Sequence, residues 1–240
     1  WTGVLATSPN QQTGGTRALI LGGWTGPSGS TINNIEYGNI STTGNFIDFG
    51  DLNSNRNNTS GFSSRVRGFA CGGFDPADSN QSNRIDFVTI TSTGDATDFG
   101  DQTYAHYDAK GLSNSTRGIN AGGLTGGSVT DIIEYITMTS AGNALDFGNL
   151  LNSSRIGGSC SSPTRGVFTG AYTPTVVTDI SYITIATLGN AADFGDLTVA
   201  RHRGDGASNA VRGLQMGGIT PTCLNTVDYI TIAVLGNAID

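Results

Sequence analysis

Nineteen acidic and twelve basic residues in a chain of 240 raise the question of whether any carboxylate is placed for proton transfer. Glycoside hydrolysis needs one acid and one base or nucleophile at a defined separation, so each member of such a pair must be unique in its surroundings. Here the acids are mostly periodic. Asp48, Asp98, Asp146, Asp193 and Asp240 recur at intervals of 50, 48, 47 and 47, and Asp51, Asp101 and Asp196 follow three residues after the first, second and fourth, with Asn149 breaking that series. Arg17, Arg67, Arg117, Arg165 and Arg212 keep step at 50, 50, 48 and 47. A group required five times over reads as structural. The matching counts predict that each repeated Arg pairs with a repeated Asp of its own or a neighbouring unit, in the bidentate geometry that suits a partly buried site.

Other chemistries find less support. His106 and His202 stand 96 residues apart at equivalent places in two units, with no Ser–His–Asp set and no G-x-S-x-G around them. Cys71, Cys160 and Cys223 are separated by 89 and 63 residues and have no second Cys or His at ligand spacing, which argues against zinc. Their odd number leaves at least one thiol free, and the expected role is that of a small buried hydrophobe. The Asp- and Asn-rich stretches are explained by turn chemistry, and the Gly-rich ones lack P-loop and strand–GxGxxG–helix contexts. No metal, no cofactor and no enzymatic activity are expected.

What positions these residues is a repeat. Each unit runs from an Arg-Gly segment ending in a Gly pair, through an apolar-aromatic run such as Tyr182-Ile183-Thr184-Ile185, a Gly-Asn turn and an Asp-Phe-Gly segment, to a Ser/Asn-rich stretch. The Gly pairs are Gly22-Gly23, Gly72-Gly73, Gly122-Gly123 and Gly217-Gly218, with Gly170-Ala171 as the exception. Period-two alternation and β-branched residues make these segments strands, here called A, B, C and D in order. With 36 Gly and only 13% charged residues, charged surface helices are not expected.

Five units of about 48 residues use the whole chain. The last unit reaches Asp240 where the others continue into Phe-Gly-Asp-Leu, and residues 1–15 have the missing character. A solenoid needs distinct caps, whereas a ring can complete its last repeat with its first residues. The prediction is an all-β, five-bladed β-propeller with four antiparallel strands per blade, one domain over 1–240. Its blades fall at about 16–64, 65–115, 116–163, 164–210 and 211–240 plus 1–15, the last closed by the N-terminal segment. Strand A, rich in Gly, is expected innermost, where blades crowd the axis.

An apolar strand ending in Gly-Gly, followed by an aromatic strand and an aromatic opening the next, resembles the kelch class of propeller repeat, with Phe49, Phe99, Phe147 and Phe194 where kelch repeats usually have Trp. The string from Tyr182 to Thr198, Y-I-T-I-A-T-L-G-N-A-A-D-F-G-D-L-T, is similar to repeats of uncharacterised marine bacteriophage proteins, cyanophages included. The similarity covers all five units. It implies a virion or appendage protein, in the virion or outside the cell, and supplies no catalytic residues.

The net charge of −7 and the single lysine, Lys110, exclude a phosphate-backbone footprint, so nucleic acid is not an expected partner. No run of 18 apolar residues predicts a membrane span, and no basic–apolar–small leader predicts a signal peptide. Opening on Trp1, the chain is expected to be a processed or excised fragment.

Loops vary most between A and B and between C and D, which share one end of a propeller, and function concentrates on variable loops over a rigid scaffold. The candidate ligand-binding residues there are Trp24, Phe74, Asp75, Tyr104, His106, Tyr172, Arg201 and His202, a mixture suited to stacking on sugar rings with hydrogen bonds to hydroxyls. The reading is a structural or recognition module whose partner is a host-surface glycan or another virion protein. A free-standing lectin-like binder is the alternative, and a glycosidase stands behind it. With most charges assigned to the repeat, the non-repeating ones are where function is to be sought.

Overall fold

The computed structural model describes residues 16–26 and 29–240, and the backbone of 4–5. Among them there is no helix, hence none long and apolar enough to cross a membrane. The protein is a five-bladed β-propeller of small antiparallel sheets set in a ring. Blade two shows the pattern: Ser60–Ser63, Arg67–Cys71, Arg84–Thr89 and Thr97–Asp101, hydrogen-bonded in that order. Blades three and four follow it, starting at Lys110–Ser113 and Arg155–Ser161. In blade five, Asp205–Ser208, Arg212–Met216 and Val227–Thr231 pair, and a bridge between Tyr229 and Ile239 stands where the fourth strand lies elsewhere.

The nesting of strands differs from the expectation. Strand D, not strand A, is innermost, and it belongs to the sheet of the unit that follows it. The inner strands touch one another in succession around the axis. They approach so closely that a Cβ on Gly111 would lie 2.7 Å from the Gly61 carbonyl oxygen, which explains Gly, Ser and Ala there better than in A. Val4–Leu5 accordingly supplies the strand the fifth unit lacks, but as the inner strand of the first blade, paired with Leu21 and Ile20. The last blade is not closed by it. The remainder of 1–15 lies outside the described residues.

The repeated ion pairs do not form. Asp48, Asp98, Asp146 and Asp193 are exposed on the outermost strands, because alternation there turns the neighbouring Phe inward and the Asp outward, and Asp240 is exposed as well. Each repeated Arg instead lies flat on the aromatic ring of its own strand B, Arg17 on Tyr37, Arg67 on Phe87, Arg117 on Tyr135, Arg165 on Tyr182 and Arg212 on Tyr229, at 4.5 to 4.7 Å from the centroid. The first four donate through Nη1 to a carbonyl of the next blade: Ile90, Met138, Ile185 and Ile232, at 2.7 to 2.9 Å. The arginine is a rivet between blades.

The Gly-Asn turn between B and C has a second use. Its Asn or Asp side chain accepts from the outer strand of the preceding blade, as in Asp101 N–H to Asn143 Oδ1 at 3.0 Å, while Gly142 N–H reaches Phe99 O at 2.8 Å. Apolar clusters fill the same seams, Leu19, Ile35 and Phe49 of blade one meeting Val88, Ile90 and Ala96 of blade two. Four seams are sealed this way. At the fifth, between blades five and one, Ile40 is 67% exposed, whereas its equivalents Ile90, Met138, Ile185 and Ile232 are at most 9% exposed.

The close approach at the seams is testable at Gly100, whose φ of +145° and position 2.6 Å, at the Cβ point, from the Gly142 carbonyl leave no room for a side chain. Gly100→Ala is expected to lower stability by about 1–3 kcal/mol in chemical denaturation. Gly142→Ala, with a similar φ of +155° but nothing within 4 Å, should cost less. Equal losses would mean that the seam is looser than described.

Candidate functional site

The A–B and C–D loops meet because a short bridge returns the end of each C–D loop to the start of an A–B loop: Asn57 with Phe74, Tyr107 with Leu124, and His202 with Ile219. In blade four the same position is regular strand, Arg155 opposite Tyr172. Immediately after the three bridges stand Asn58, Asp108 and Arg203, at φ of 51°, 58° and 56°. Asn and Asp tolerate this left-handed conformation through their short polar side chains. Arg203 adopts it without that help.

These loops surround a cavity of about 1220 Å³ on the propeller axis, to which all five blades contribute. Trp24 and Phe74 enter from blades one and two, beside Asn57 and Asn58. Trp24 is 47% exposed and its indole Nε1 donates to Gly29 O at 2.6 Å, fixing the ring at the rim. Phe74 meets Tyr107 edge to face at 6.0 Å. On the remaining wall are Asp108, Lys110, Arg155, His202, Arg203 and Asp205. Arg155 is paired with Asp108, both half-buried, and Lys110 Nζ lies 3.6 Å from Asp205 and 3.4 Å from Gly204 O. Burial, then the neighbouring Arg203 and Arg155, hold the His202 imidazole below its ordinary pKa.

Of the eight candidate residues, Trp24, Phe74 and His202 line this cavity, and Tyr172 tilts against the His202 ring at 5.4 Å. The other four are committed to the walls. Asp75 is buried and caps a turn, accepting from Ala77 N–H at 2.9 Å. Arg201 is fully buried against Asp228 at 3.1 Å, and Arg56 does the same with Asp86 three repeats earlier. Tyr104 and His106 stack at 4.4 Å inside blade three, where the imidazole Nε2 accepts from Asn120 Nδ2 at 2.6 Å and Nδ1–H donates to Tyr104 O at 3.2 Å. Burial pushes His106 down to about 4, so this ring is neutral. It takes the place that Arg56 and Arg201 hold in other seams, with Glu134 in place of an Asp, so the two histidines are not equivalent as expected: the equivalent of His202 is Tyr107.

Glu134 in turn accepts from Gln102 Nε2 at 2.9 Å and from the Thr103 amide and hydroxyl at 2.7 and 2.6 Å, while burial raises its pKa. Pro27, in the Trp24 loop, lies outside the described residues. Cys71 and Cys160 are buried and Cys223 is exposed. Among the described residues no cluster of three His, Cys, Asp or Glu is placed to hold a metal ion.

Asp108, Lys110, Arg155 and Asp205 were not singled out by residue type alone. A columnar signal finds Asp108 and, with it, Arg203: nine residues before Arg67, Arg117, Arg165 and Arg212 stand Asn58, Asp108, Ile156 and Arg203, a position that changes chemistry in every one of these units, whereas Lys110, Arg155 and Asp205 fall outside that column. No protein-family model matches the chain, and no curated protein matches it in sequence.

Proposed function

We propose that the chain is a non-catalytic recognition module that holds a polar ligand, a surface glycan, in the axial cavity. One observation carries this reading: several residues that differ between otherwise similar blades, Trp24, Phe74, Asp108, His202 and Arg203 among them, line a single cavity, larger than most small-ligand pockets, with the exposed Trp24 ring and the half-buried Phe74 ring on one wall and charged and amide groups around it. The repeat resemblance favours a phage particle or appendage as its setting, with a host-surface glycan as ligand and another virion protein as the competing partner.

The test is a glycan array with the isolated protein, followed by titration of the best ligand. Trp24→Ala should weaken that ligand at least tenfold while leaving the thermal midpoint nearly unchanged, because the ring is exposed at the rim. No binding to any saccharide at high concentration sinks the reading in favour of a structural part. A glycosidase remains the second reading, because Asp108 and Asp205 are carboxylates unique to their blades. Both are engaged by cations, whereas a general acid must carry a proton for the leaving group. Polysaccharide turnover abolished by Asp108→Asn would establish it.

A further inference from the structure

Charge is distributed unevenly around the cavity. Three cations, Lys110, Arg155 and Arg203, face two carboxylates, Asp108 and Asp205, leaving one net positive charge in a chain whose total is −7. The rest of the molecule therefore carries nine basic against seventeen acidic residues. Both carboxylates are already matched, Asp108 by Arg155 and Asp205 by Lys110. Arg203 is exposed, and among the described residues no carboxylate lies within ion-pair distance of it. Its backbone is held at φ 56°, a conformation unfavourable for a long side chain that no local hydrogen bond of its own repays. The opposite wall, from blades one and two, carries no charged side chain among the described residues: Trp24, Phe74, Asn57, Asn58 and Thr31 stand there.

Resting on the glycan reading, we propose that the ligand is an acidic saccharide, whose ring lies toward Trp24 and Phe74 and whose carboxylate or sulfate is taken by Arg203. A guanidinium fork matches either anion through two parallel N–H donors, and an anion there neutralises the one uncompensated charge of the cavity. Neutral sugars would leave Arg203 unsatisfied. The flanking His202 gives a reporter, since its imidazole is held low partly by Arg203 and Arg155. An anion placed between these groups offsets that repulsion and raises the His202 pKa.

The experiment uses two matched pairs of probes, measured by calorimetry and by NMR titration of His202. Trigalacturonate against its carboxyl-reduced form reads the carboxylate; a chondroitin sulfate tetrasaccharide against its desulfated form reads the sulfate. The acidic member of at least one pair is expected to bind at least tenfold tighter and to move the His202 titration to higher pH. Arg203→Gln, a change at an exposed position, should remove the preference and leave the neutral member's affinity intact. Equal affinity within both pairs overturns the acidic assignment while leaving glycan recognition standing. Binding of none of the four, together with a blank glycan array, overturns both.

Discussion

Asp228→Ala is expected to destabilise the protein by about 3–5 kcal/mol, because it leaves the Arg201 guanidinium charged, buried and unpaired at the seam between blades four and five. Both side chains are at most 1% exposed and lie 3.1 Å apart. Asp228 also accepts from the Thr198 amide at 2.9 Å and hydroxyl at 2.6 Å, and Arg201 donates to Gln215 O at 3.3 Å, so one substitution strands several donors together. For a chain of this size the loss corresponds to a fall in Tm of roughly 6–20 °C. Replacing both partners by apolar residues of similar volume, Arg201→Met with Asp228→Leu, should recover most of it, because the desolvation cost of the two charges disappears along with their attraction. Scanning calorimetry of the single and double variants decides the matter. A single variant within 1 kcal/mol of wild type would mean that the pair is open to water.

The second large effect is a pH dependence centred on His106. Its folded pKa of about 4 lies below the ordinary 6.5 because the neutral ring is buried between Tyr104, Asn120 and Gln102. Between those two values the unfolded chain binds the proton and the folded one does not. Stability from this residue is therefore complete above about pH 6.5 and is lost as the pH falls toward 4, by about 3 kcal/mol. Glu134, whose pKa is raised by burial, acts in the opposite sense, since its folded form takes up a proton first as the pH falls. Comparing wild type with His106→Asn by urea denaturation at pH 7 and pH 4 separates the two, because Glu134 is present in both. The wild-type advantage should shrink by about 3 kcal/mol across that interval. A constant difference would show that the ring is not kept neutral by burial.

Blade number and strand identity were legible because they rest on periodicity: the five repeated Arg, the five aromatic strands of the Ile-x-Tyr kind and the four Asp-Phe-Gly segments reinforce one another. Nesting was not. Ser60–Ser63, Lys110–Ser113 and Asp205–Ser208 are short, small-residue strands whose side chains are dictated by backbone crowding at the axis, and this leaves little alternation to read. The ion pairs failed for a related reason. Matching counts of Arg and Asp say nothing about facing, and the Arg side of each blade presents an aromatic ring and the next blade's carbonyl. At the site, Trp24, Phe74 and His202 were found because variable loops share one end of the ring. Arg201 and His106 were drawn in with them, since sequence does not distinguish a variable residue on a rim from one that varies as half of a buried couple. The matched changes, Arg56 with Asp86, Arg201 with Asp228, and His106 with Glu134 through the Gln102 amide between them, become visible only once neighbouring blades are aligned.

Among the described residues, apolar clusters join blades one to five in a row with four packed seams, and at the fifth, between blades five and one, Ile40 is exposed. Blades one and five are the end members of that row. The cavity is the exception to that geometry, because Trp24 and Thr31 of blade one and His202 and Met216 of blade five line it together. A molecule spanning those walls becomes the fifth joint. It turns the row into a closed circuit, so occupancy tightens the end members against local opening as well as filling the cavity.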